Sequence, residues 1–371
     1  MNRFQQLLHD QVRAVTGDTE EERRPLAEWQ RIFEEAQDQL IRDIEQLAPD
    51  VMTESRRAIR RGRKRRTREI KHAERSHLKK LGKGFRQLEE AVILAEVGNR
   101  QLFDAFALWL KRNDKNDNIL ASSIGAPEVP GGPAVRVLTF LGLHARGCTL
   151  TSEILLLSRN GFTKGAHSRT RSLYELTTIL AFLAVADSPP YVLTERYSLS
   201  GLVEARRDLQ GSEETDPFDE SPGLEDAIRS AWGDRFFKPY GWAIPGIGDG
   251  EAKQVTFRDI ERVLGDRDWR HAYLTMNHSV HAGAASIVSQ LDHRVPFRYR
   301  TGSTVDHYDA SWVLSVVALL FEGLQIPLFM GISNLLEADL EIKIAPIINL
   351  CTSAKEFFDD YIDDRDALAP E

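Results

Sequence analysis

The feature that most constrains folding is a basic segment at residues 56–86, which holds fifteen Lys and Arg side chains and two acids. The segment carries +13, whereas the whole chain carries −8, so the remaining residues sum to −21. So sharp a division of charge implies a polyanionic partner for this segment. We expect a long solvated helix at about 53–80, weakened at Gly62, and an acidic body elsewhere.

Such a basic segment suits the phosphate backbone of nucleic acid. Arginine outnumbers lysine in the segment, and a guanidinium can donate two hydrogen bonds to one phosphate. Binding of this kind releases counterions and needs no base sequence. The segment contains one Phe, Phe85, and no Tyr or Trp, so base stacking is not indicated. We predict a nucleic-acid partner and assign its contacts to Arg60, Arg61, Arg63, Lys64, Arg65, Arg66 and Arg68.

Two other interpretations of the basic segment stay open. The helix could pair with the acidic body of its own chain, as an ordinary solvated face. It could also lie on a membrane surface, although an interfacial helix needs an apolar face with Trp or Leu clusters, and this segment has none.

Length and cysteine content bound the class of protein. The 371 residues leave room for two or three domains, and an apolar content of 42% suits a globular protein. With only Cys148 and Cys351 present, no disulfide framework is expected, and a reducing, cytoplasmic compartment is predicted. Residues 1–6 lack the apolar core of a signal peptide.

One apolar stretch, residues 312–332, is long enough to be compared with a membrane span. It contains Glu322, Gln325 and Pro327, and a charged residue in the middle of a span is costly. We therefore predict no membrane association and interpret the stretch as a buried core helix, kinked or broken near Pro327.

Helical periodicity runs through almost the whole chain and predicts an all-α fold. Residues 1–113 are expected to form a basic helical arm, as a hairpin or coiled-coil-like region with helices at about 27–47, 53–80 and 85–112. A linker at 114–133 follows, because the segment Ala126–Pro133 cannot propagate a helix. The expected helical-bundle domain spans 134–363, with an acidic insert at 211–255, a loop at 295–302, and helices near 134–159, 163–187, 190–210, 267–290, 307–335 and 338–363.

Arg171 and Glu175 form the first candidate constellation. They are four residues apart, so they share a helix face, and the turns that follow, 176–185, are almost wholly apolar. Two interpretations remain open. The pair is either a structural ion pair between helices or an arrangement in which Glu175 holds Arg171 for a substrate phosphate.

A stripe of histidines forms the second constellation. Positions 271, 274, 278, 281, 285 and 288 recur at helical spacing, and three of them are histidine. They are either satisfied core residues or proton-transfer groups. His278 and His281 could also chelate a metal with Asp306, His307 or Glu322. The sequence has no HExxH motif and no Cys pair, so we predict no metal and no cofactor.

Residues from about 135 to 335 resemble an uncharacterised bacterial helical domain family. The features that carry the resemblance are an Arg-x-x-x-Glu helix, here Arg171 and Glu175, and a later Asn/Ser-x-x-x-His helix, here Asn277 and His281. More loosely, the chain is similar to the HEPN superfamily of toxin and antiphage proteins. That resemblance implies an all-helical, dimeric, metal-independent RNase with an Arg-x4–6-His motif.

The HEPN motif is not where the helix pattern would place it. No Arg precedes His278 or His281 at the required spacing. Arg300 and His307 have the spacing, but Gly302 lies between them in a segment that is predicted to be a loop.

The leading hypothesis is a nucleic-acid-targeting effector, with RNA favoured over DNA, in antiphage defence or a toxin-like system. The resemblance implies a homodimer. Cleavage would use His278 or His281 as proton shuttle beside Asn277, with Arg171 as phosphate stabiliser and Glu175 as its orienter. The alternatives are a non-catalytic nucleic-acid-binding or assembly module, and a small-ligand sensor with a polar pocket in the bundle.

Two further residues enter the predicted polar pocket. Glu322 interrupts an apolar helix and needs a cationic partner, for which Arg169, Arg171 and His281 are candidates. His144, by contrast, shares a helix face with Val137, Leu141 and Cys148 and is predicted to be a core histidine.

Overall fold

The computed structural model describes residues 31, 34–35, 37–39, 41–43, 49–113, 122–124, 131–209, 216, 218, 223–248, 254–265, 269–279, 287, 301–336 and 340–366. The predictions for His281, for most of the helix at 27–47 and for most of the loop at 295–302 lie outside these residues.

The described residues form helices and no strand, which confirms the all-α class. We number the α-helices in chain order: α1 Pro49–Arg112, α2 Gly132–Arg159, α3 Thr163–Ala186, α4 Val192–Asp208, α5 Leu224–Trp232, α6 Ile244–Ile247, α7 Phe257–Val263, α8 Trp269–Asn277, α9 His307–Leu336 and α10 Leu340–Asp366. Two 3₁₀ turns, Asp234–Phe237 and Gly241–Ala243, lie between α5 and α6.

Helix α1 runs without interruption for 64 residues, where the sequence suggested separate helices at 53–80 and 85–112. Gly84, which lies between these two expected helices, is a point of close helix contact. A Cβ added to Gly84 would lie 2.4 Å from the Phe358 ring carbon Cζ of α10. Tertiary packing, which allows no side chain at Gly84, therefore outweighs the low helix propensity of glycine.

The chain divides into two compact units, Met1–Glu69 and Ile70–Glu371. In the first unit, the side chains from Thr53 to Glu69 are exposed apart from the half-buried Gly62. The second unit contains the rest of α1 and all later helices, so the predicted linker at 114–133 lies within it.

Helix α9 forms the centre of the second unit. It packs against α2, α3 and α10, and its buried face includes Val313, Leu314, Val317, Leu320 and Phe321. Apolar burial of this kind stabilises a fold by about 25 cal/mol for each Å² removed from water. Leu81, Phe85 and Leu88 of α1 belong to the same hydrophobic cluster.

Among the described residues, α9 is also the one helix long and apolar enough to cross a membrane. Within its most apolar window, 61% of the residues are buried inside the fold, as expected for a core helix. The helix continues through Pro327 from His307 to Leu336, so it is not broken there.

A buried ion pair joins the start of α2 to Asp187, the residue that follows α3. Arg136 Nη1 lies 3.0 Å from Asp187 Oδ2, and both side chains are almost fully buried. Asp187 also accepts the backbone N–H groups of Leu193 and Thr194, each at 3.1 Å, and so caps α4. Arg136 Nε donates to the carbonyl oxygen of Gly331 in α9 at 2.8 Å. The pair is therefore satisfied on both sides.

Candidate functional site

The predicted phosphate contacts are all exposed on α1. Arg60, Arg61, Arg63, Lys64, Arg65, Arg66 and Arg68 each present their side chains to solvent within the first unit. Arg65 Nε lies 3.4 Å from Glu69 Oε1, and Arg68 Nε donates to the Lys64 carbonyl oxygen at 3.3 Å. Both contacts are within one turn of the same helix, so they leave the cations at the surface.

These cations surround the helix instead of forming one face. Successive residues turn by about 100° around an α-helix, which distributes the seven side chains over its circumference. An interfacial membrane helix needs a continuous apolar side, and this part of α1 has no such side. A polyanion can contact it from several directions.

Arg171 and Glu175 form an ion pair on α3, with Arg171 Nη2 3.0 Å from Glu175 Oε1. Tyr273 of α8 completes this contact: its hydroxyl accepts from Arg171 Nη2 at 3.5 Å and donates to Glu175 Oε1 at 3.1 Å. Although burial lowers the pKa of Arg171, hydrogen bonding to Tyr273 and attraction to Glu175 raise it above its usual value overall. Arg171 is therefore held as a cation.

A second charged cluster lies on the other side of the same aromatic contact. The Tyr174 and Tyr273 rings are stacked with centroids 4.8 Å apart, and the Tyr174 hydroxyl donates to Glu261 Oε1 at 2.6 Å. Glu261 is buried and is also paired with Arg270 and, at 3.7 Å, with Arg258. The two tyrosines thus connect α3, α7 and α8.

The end of α8 lies beside α3. Ser168 Oγ donates to the carbonyl oxygen of Ser279 at 3.0 Å, and the Asn277 side chain is half-buried with its Oδ1 inaccessible to solvent. His278 is exposed in the turn that follows α8. The structure therefore places Asn277 and His278 at the end of the helix that supplies Tyr273.

Arg169 and Glu322 are not part of this cluster. Arg169 Nε pairs with Glu153 Oε2 of α2 at 3.0 Å, and Glu322 accepts a hydrogen bond from Thr352 of α10 at 3.3 Å. The described partners of Glu322 thus do not include Arg169 or Arg171. Arg169 and Glu322 each contact an adjacent helix instead, and His281, the third predicted partner of Glu322, lies outside the described residues.

Three residues of the polar cluster were not identified from the sequence: Tyr174, Glu261 and Tyr273. Tyr273 and Asn277 are four residues apart, so the sequence could have predicted that Tyr273 shares a helix face with Asn277. Arg258 and Glu261 are three residues apart on one helix, but the contacts of Glu261 to Tyr174 and Arg270 join different helices and had no local signal. Among the described residues, no group of three or more His, Cys, Asp or Glu side chains has the arrangement of a metal site.

The contact between His167 and Asp309 was also not predicted from the sequence. His167 Nε2 lies 2.9 Å from Asp309 Oδ1, and the His167 ring stacks on Trp312 with centroids 5.3 Å apart. Although burial raises the pKa of Asp309, its hydrogen bond from His167 and the nearby Lys164 hold it well below the usual range. The contact ties α3 to the first turn of α9.

His144 is buried, as predicted, and both its ring nitrogens are hydrogen-bonded. Its Nε2 lies 3.1 Å from Gln325 Oε1, and Asn99 Nδ2 lies 3.0 Å from its Nδ1. The amide oxygen of Gln325 can only accept, so His144 carries its proton on Nε2. Burial lowers the pKa of His144 to about 4, so the ring is neutral at physiological pH.

Comparison with known proteins gives one match. Residues 138–295 match the model of a family of unknown function, DUF5677. No curated protein and no solved structure matches the chain. The matched range contains Arg171, Glu175 and Tyr273, so the central part of the chain is similar to an uncharacterised domain that includes the polar cluster.

Proposed function

We propose that this protein binds nucleic acid through the phosphate backbone, using the basic segment of α1. One observation carries the proposal: residues 56–68 contain nine Lys and Arg side chains and no acid, and all nine are exposed on a helix. Nucleic acid is the polyanion that we expect to meet such a surface.

The charge spacing supports this choice. Thirteen residues of α-helix span about 20 Å, so the segment presents about one positive charge every 2 Å. Duplex DNA carries one negative charge for about every 1.7 Å of its axis. The linear charge densities are therefore closely matched, and binding should release condensed counterions.

The test is the salt dependence of binding. A fluorescently labelled 20-nucleotide RNA and its duplex would be titrated by anisotropy between 50 and 300 mM KCl, with the intact chain and with Arg60, Arg61, Arg65 and Arg66 all replaced by Gln. Each lost phosphate contact lowers the slope of log affinity against log salt by about 0.7 for single strands and 0.9 for duplex. The slope of log affinity against log salt should therefore be smaller by about 3 in the fourfold variant than in the intact chain.

A matched control keeps the net charge equal. Arg100, Lys111, Arg112 and Lys238 are exposed cations outside the basic segment, and their fourfold Gln variant changes the charge by the same amount. It should bind nearly as the intact chain does. Equal losses in both variants would mean a diffuse charge effect, and unchanged binding in the segment variant would refute the proposal.

A second candidate function is RNA cleavage at the polar cluster, as the HEPN resemblance implies, in a dimeric antiphage or toxin-like effector. The observation that favours it is the cation of Arg171, held by Glu175 and by Tyr273 of α8, the helix that ends at Asn277 and is followed by His278. A fixed cation can stabilise charge on a reacting phosphate, and a nearby imidazole can transfer protons.

Cleavage would be assayed on denaturing gels with labelled RNA and DNA, in EDTA and in Mg²⁺. The proposal expects RNA cleavage in EDTA that is lost in His278→Ala or His281→Ala, with RNA affinity unchanged. His271→Ala is the control, since His271 is an exposed histidine of α8. A shifted but intact RNA would leave nucleic-acid binding as the function.

A further inference from the structure

A cavity of about 280 Å³ lies between α1, α2, α9 and α10 of the second unit. Its walls are mostly aliphatic and include Leu94, Val97, Leu102, Leu328 and Ile347. No Asp, Glu, Lys or Arg occurs among the described residues that line it. A charged ligand would lose its hydration there without a counter-charge, so the cavity suits a neutral molecule.

Four polar side chains line this cavity: Asn99, Gln101, His144 and Gln325. Asn99, His144 and Gln325 form one hydrogen-bonded network. Their mutual hydrogen bonds use both nitrogens of His144, and Asn99 Nδ2 also donates to the carbonyl oxygen of Leu141 at 3.0 Å. Gln325 Nε2 donates to the carbonyl oxygen of Phe321 at 3.1 Å. This network fixes the three side chains before any ligand arrives.

Two groups of this network have no hydrogen-bond partner among the described residues. Asn99 Oδ1 can accept a hydrogen bond, and the second N–H of Gln325 can donate one. A hydroxyl group can meet both needs, because it donates through its hydrogen and accepts through its oxygen. A carboxylate has no hydrogen to offer Asn99 Oδ1.

The volume limits the size of the hydrocarbon part. A protein cavity of roughly 150 Å³ can hold one benzene molecule. At about 280 Å³, this cavity has room for a fused two-ring aromatic body or a chain of similar volume. We propose that it binds a neutral small molecule with such a hydrocarbon body and one hydroxyl group. The proposal is independent of the nucleic-acid function.

The probes are 2-naphthol, naphthalene and 2-naphthoate, which share a ring system and differ in the polar group. Each would be titrated into the full-length protein, with binding followed by ligand fluorescence and by isothermal calorimetry. We expect saturable 1:1 binding of 2-naphthol. One added hydrogen bond should make it roughly fivefold tighter than naphthalene, and naphthoate should bind at least tenfold more weakly than naphthol.

Two substitutions obstruct the cavity from α1. Gly98 lines the cavity, and a Cβ added there would meet no atom within 4 Å, so Gly98→Leu extends a side chain into free space. Val97 lines the cavity and is 38% exposed, so Val97→Trp can cover its mouth. Each should weaken 2-naphthol binding at least tenfold.

The controls make the same changes elsewhere. Gly142 of α2 also has no atom within 4 Å of an added Cβ, and Val185 of α3 is 60% exposed. Neither lines the cavity. Gly142→Leu and Val185→Trp should keep the naphthol affinity within twofold. Circular dichroism would verify that each variant folds. If only one of Gly98→Leu and Val97→Trp folds, that variant is sufficient for the comparison with its control.

Asn99→Ala tests the polar end separately and should narrow the difference in affinity between 2-naphthol and naphthalene, because the hydroxyl then keeps only its bond from Gln325. Three results would overturn the proposal: no saturable naphthol binding, naphthoate bound as tightly as naphthol, or naphthol affinity unchanged in folded Gly98→Leu or Val97→Trp. The first would leave an unoccupied cavity, the second would reject the neutral class, and the third would place the probe elsewhere.

Discussion

The Tyr273 hydroxyl donates a hydrogen bond to Glu175 Oε1 at 3.1 Å, although the two residues are 98 positions apart in sequence. The same oxygen of Glu175 is the ion-pair partner of Arg171. Glu175 therefore combines a local contact along α3 with a tertiary contact to α8. This arrangement fixes the direction of the Arg171 guanidinium and joins two helices of the matched domain.

Tyr273→Phe should destabilise the second unit by about 1 kcal/mol, because it removes one hydroxyl and its hydrogen bonds but keeps the aromatic stack. The measurement is the free energy of unfolding in urea. Tyr308→Phe is the control, since Tyr308 is 40% exposed, and it should change stability by less than about 0.5 kcal/mol. An equal effect of both substitutions would contradict a specific role for Tyr273.

Asp187→Asn should be far more damaging, since it leaves the buried Arg136 guanidinium without its counter-charge. Breaking a buried pair by removing one partner costs about 3–5 kcal/mol. Urea denaturation of the variant would measure the loss.

The comparison for Asp187 is Glu153→Gln. Glu153 pairs with Arg169 and Arg146 at the surface, where the side chains of both arginines are about half exposed. That substitution should cost at most about 1 kcal/mol. If Asp187→Asn were equally mild, the buried pair would contribute little to the fold.

His144 should make stability depend on pH. Burial lowers its folded-state pKa from 6.5 to about 4, so the unfolded chain binds a proton more readily between these values. Above pH 6.5 this titration leaves the free energy of unfolding unchanged. As the pH falls from 6.5 to 4, the free energy of unfolding should decrease by about 3 kcal/mol.

The check is to measure the free energy of unfolding of the intact chain and of His144→Gln at several values from pH 7.5 to 4. The variant should show the shallower loss of stability on acidification. Identical slopes would mean that His144 titrates normally in the folded chain.

Gly331→Ala and Gly142→Ala should have opposite effects. A Cβ at Gly331 would lie 1.9 Å from the Phe140 ring, whereas one at Gly142 meets nothing within 4 Å. Overpacking at Gly331 should cost about 1–3 kcal/mol, and Ala at Gly142 should stabilise its helix by up to about 1 kcal/mol. Thermal unfolding of the two variants would test both signs, and a tolerated Gly331→Ala would contradict the close contact.

The helices of the bundle were largely predictable from apolar periodicity. Residues 134–159 and 163–187 were expected as helices, and α2 and α3 begin and end within two residues of those limits. The Arg171–Glu175 contact was likewise predictable, because a spacing of four residues places side chains on one helix face. These features depend on local sequence.

What could not be predicted depends on the approach of distant segments. His167 and Asp309 are 142 positions apart, and no local pattern relates them. Separate helices were expected at 53–80 and 85–112, but α1 is continuous, and α10 packs closely against Gly84 between them. Glu322 was expected beside Arg169, Arg171 or His281, and its contact with Thr352 of α10, 30 positions away, had no local signal.

The close contacts at Gly84 and Gly331 also provide a criterion for identifying relatives. The family match ends at residue 295 and begins at residue 138, so both glycines lie outside it. Any other residue at Gly84 would collide with a ring of Phe358, and at Gly331 with a ring of Phe140. A homologue that carries both glycines opposite aromatic residues can pack α1 against α10 and α9 against α2 as here, whereas one with bulky residues there must arrange these helices differently.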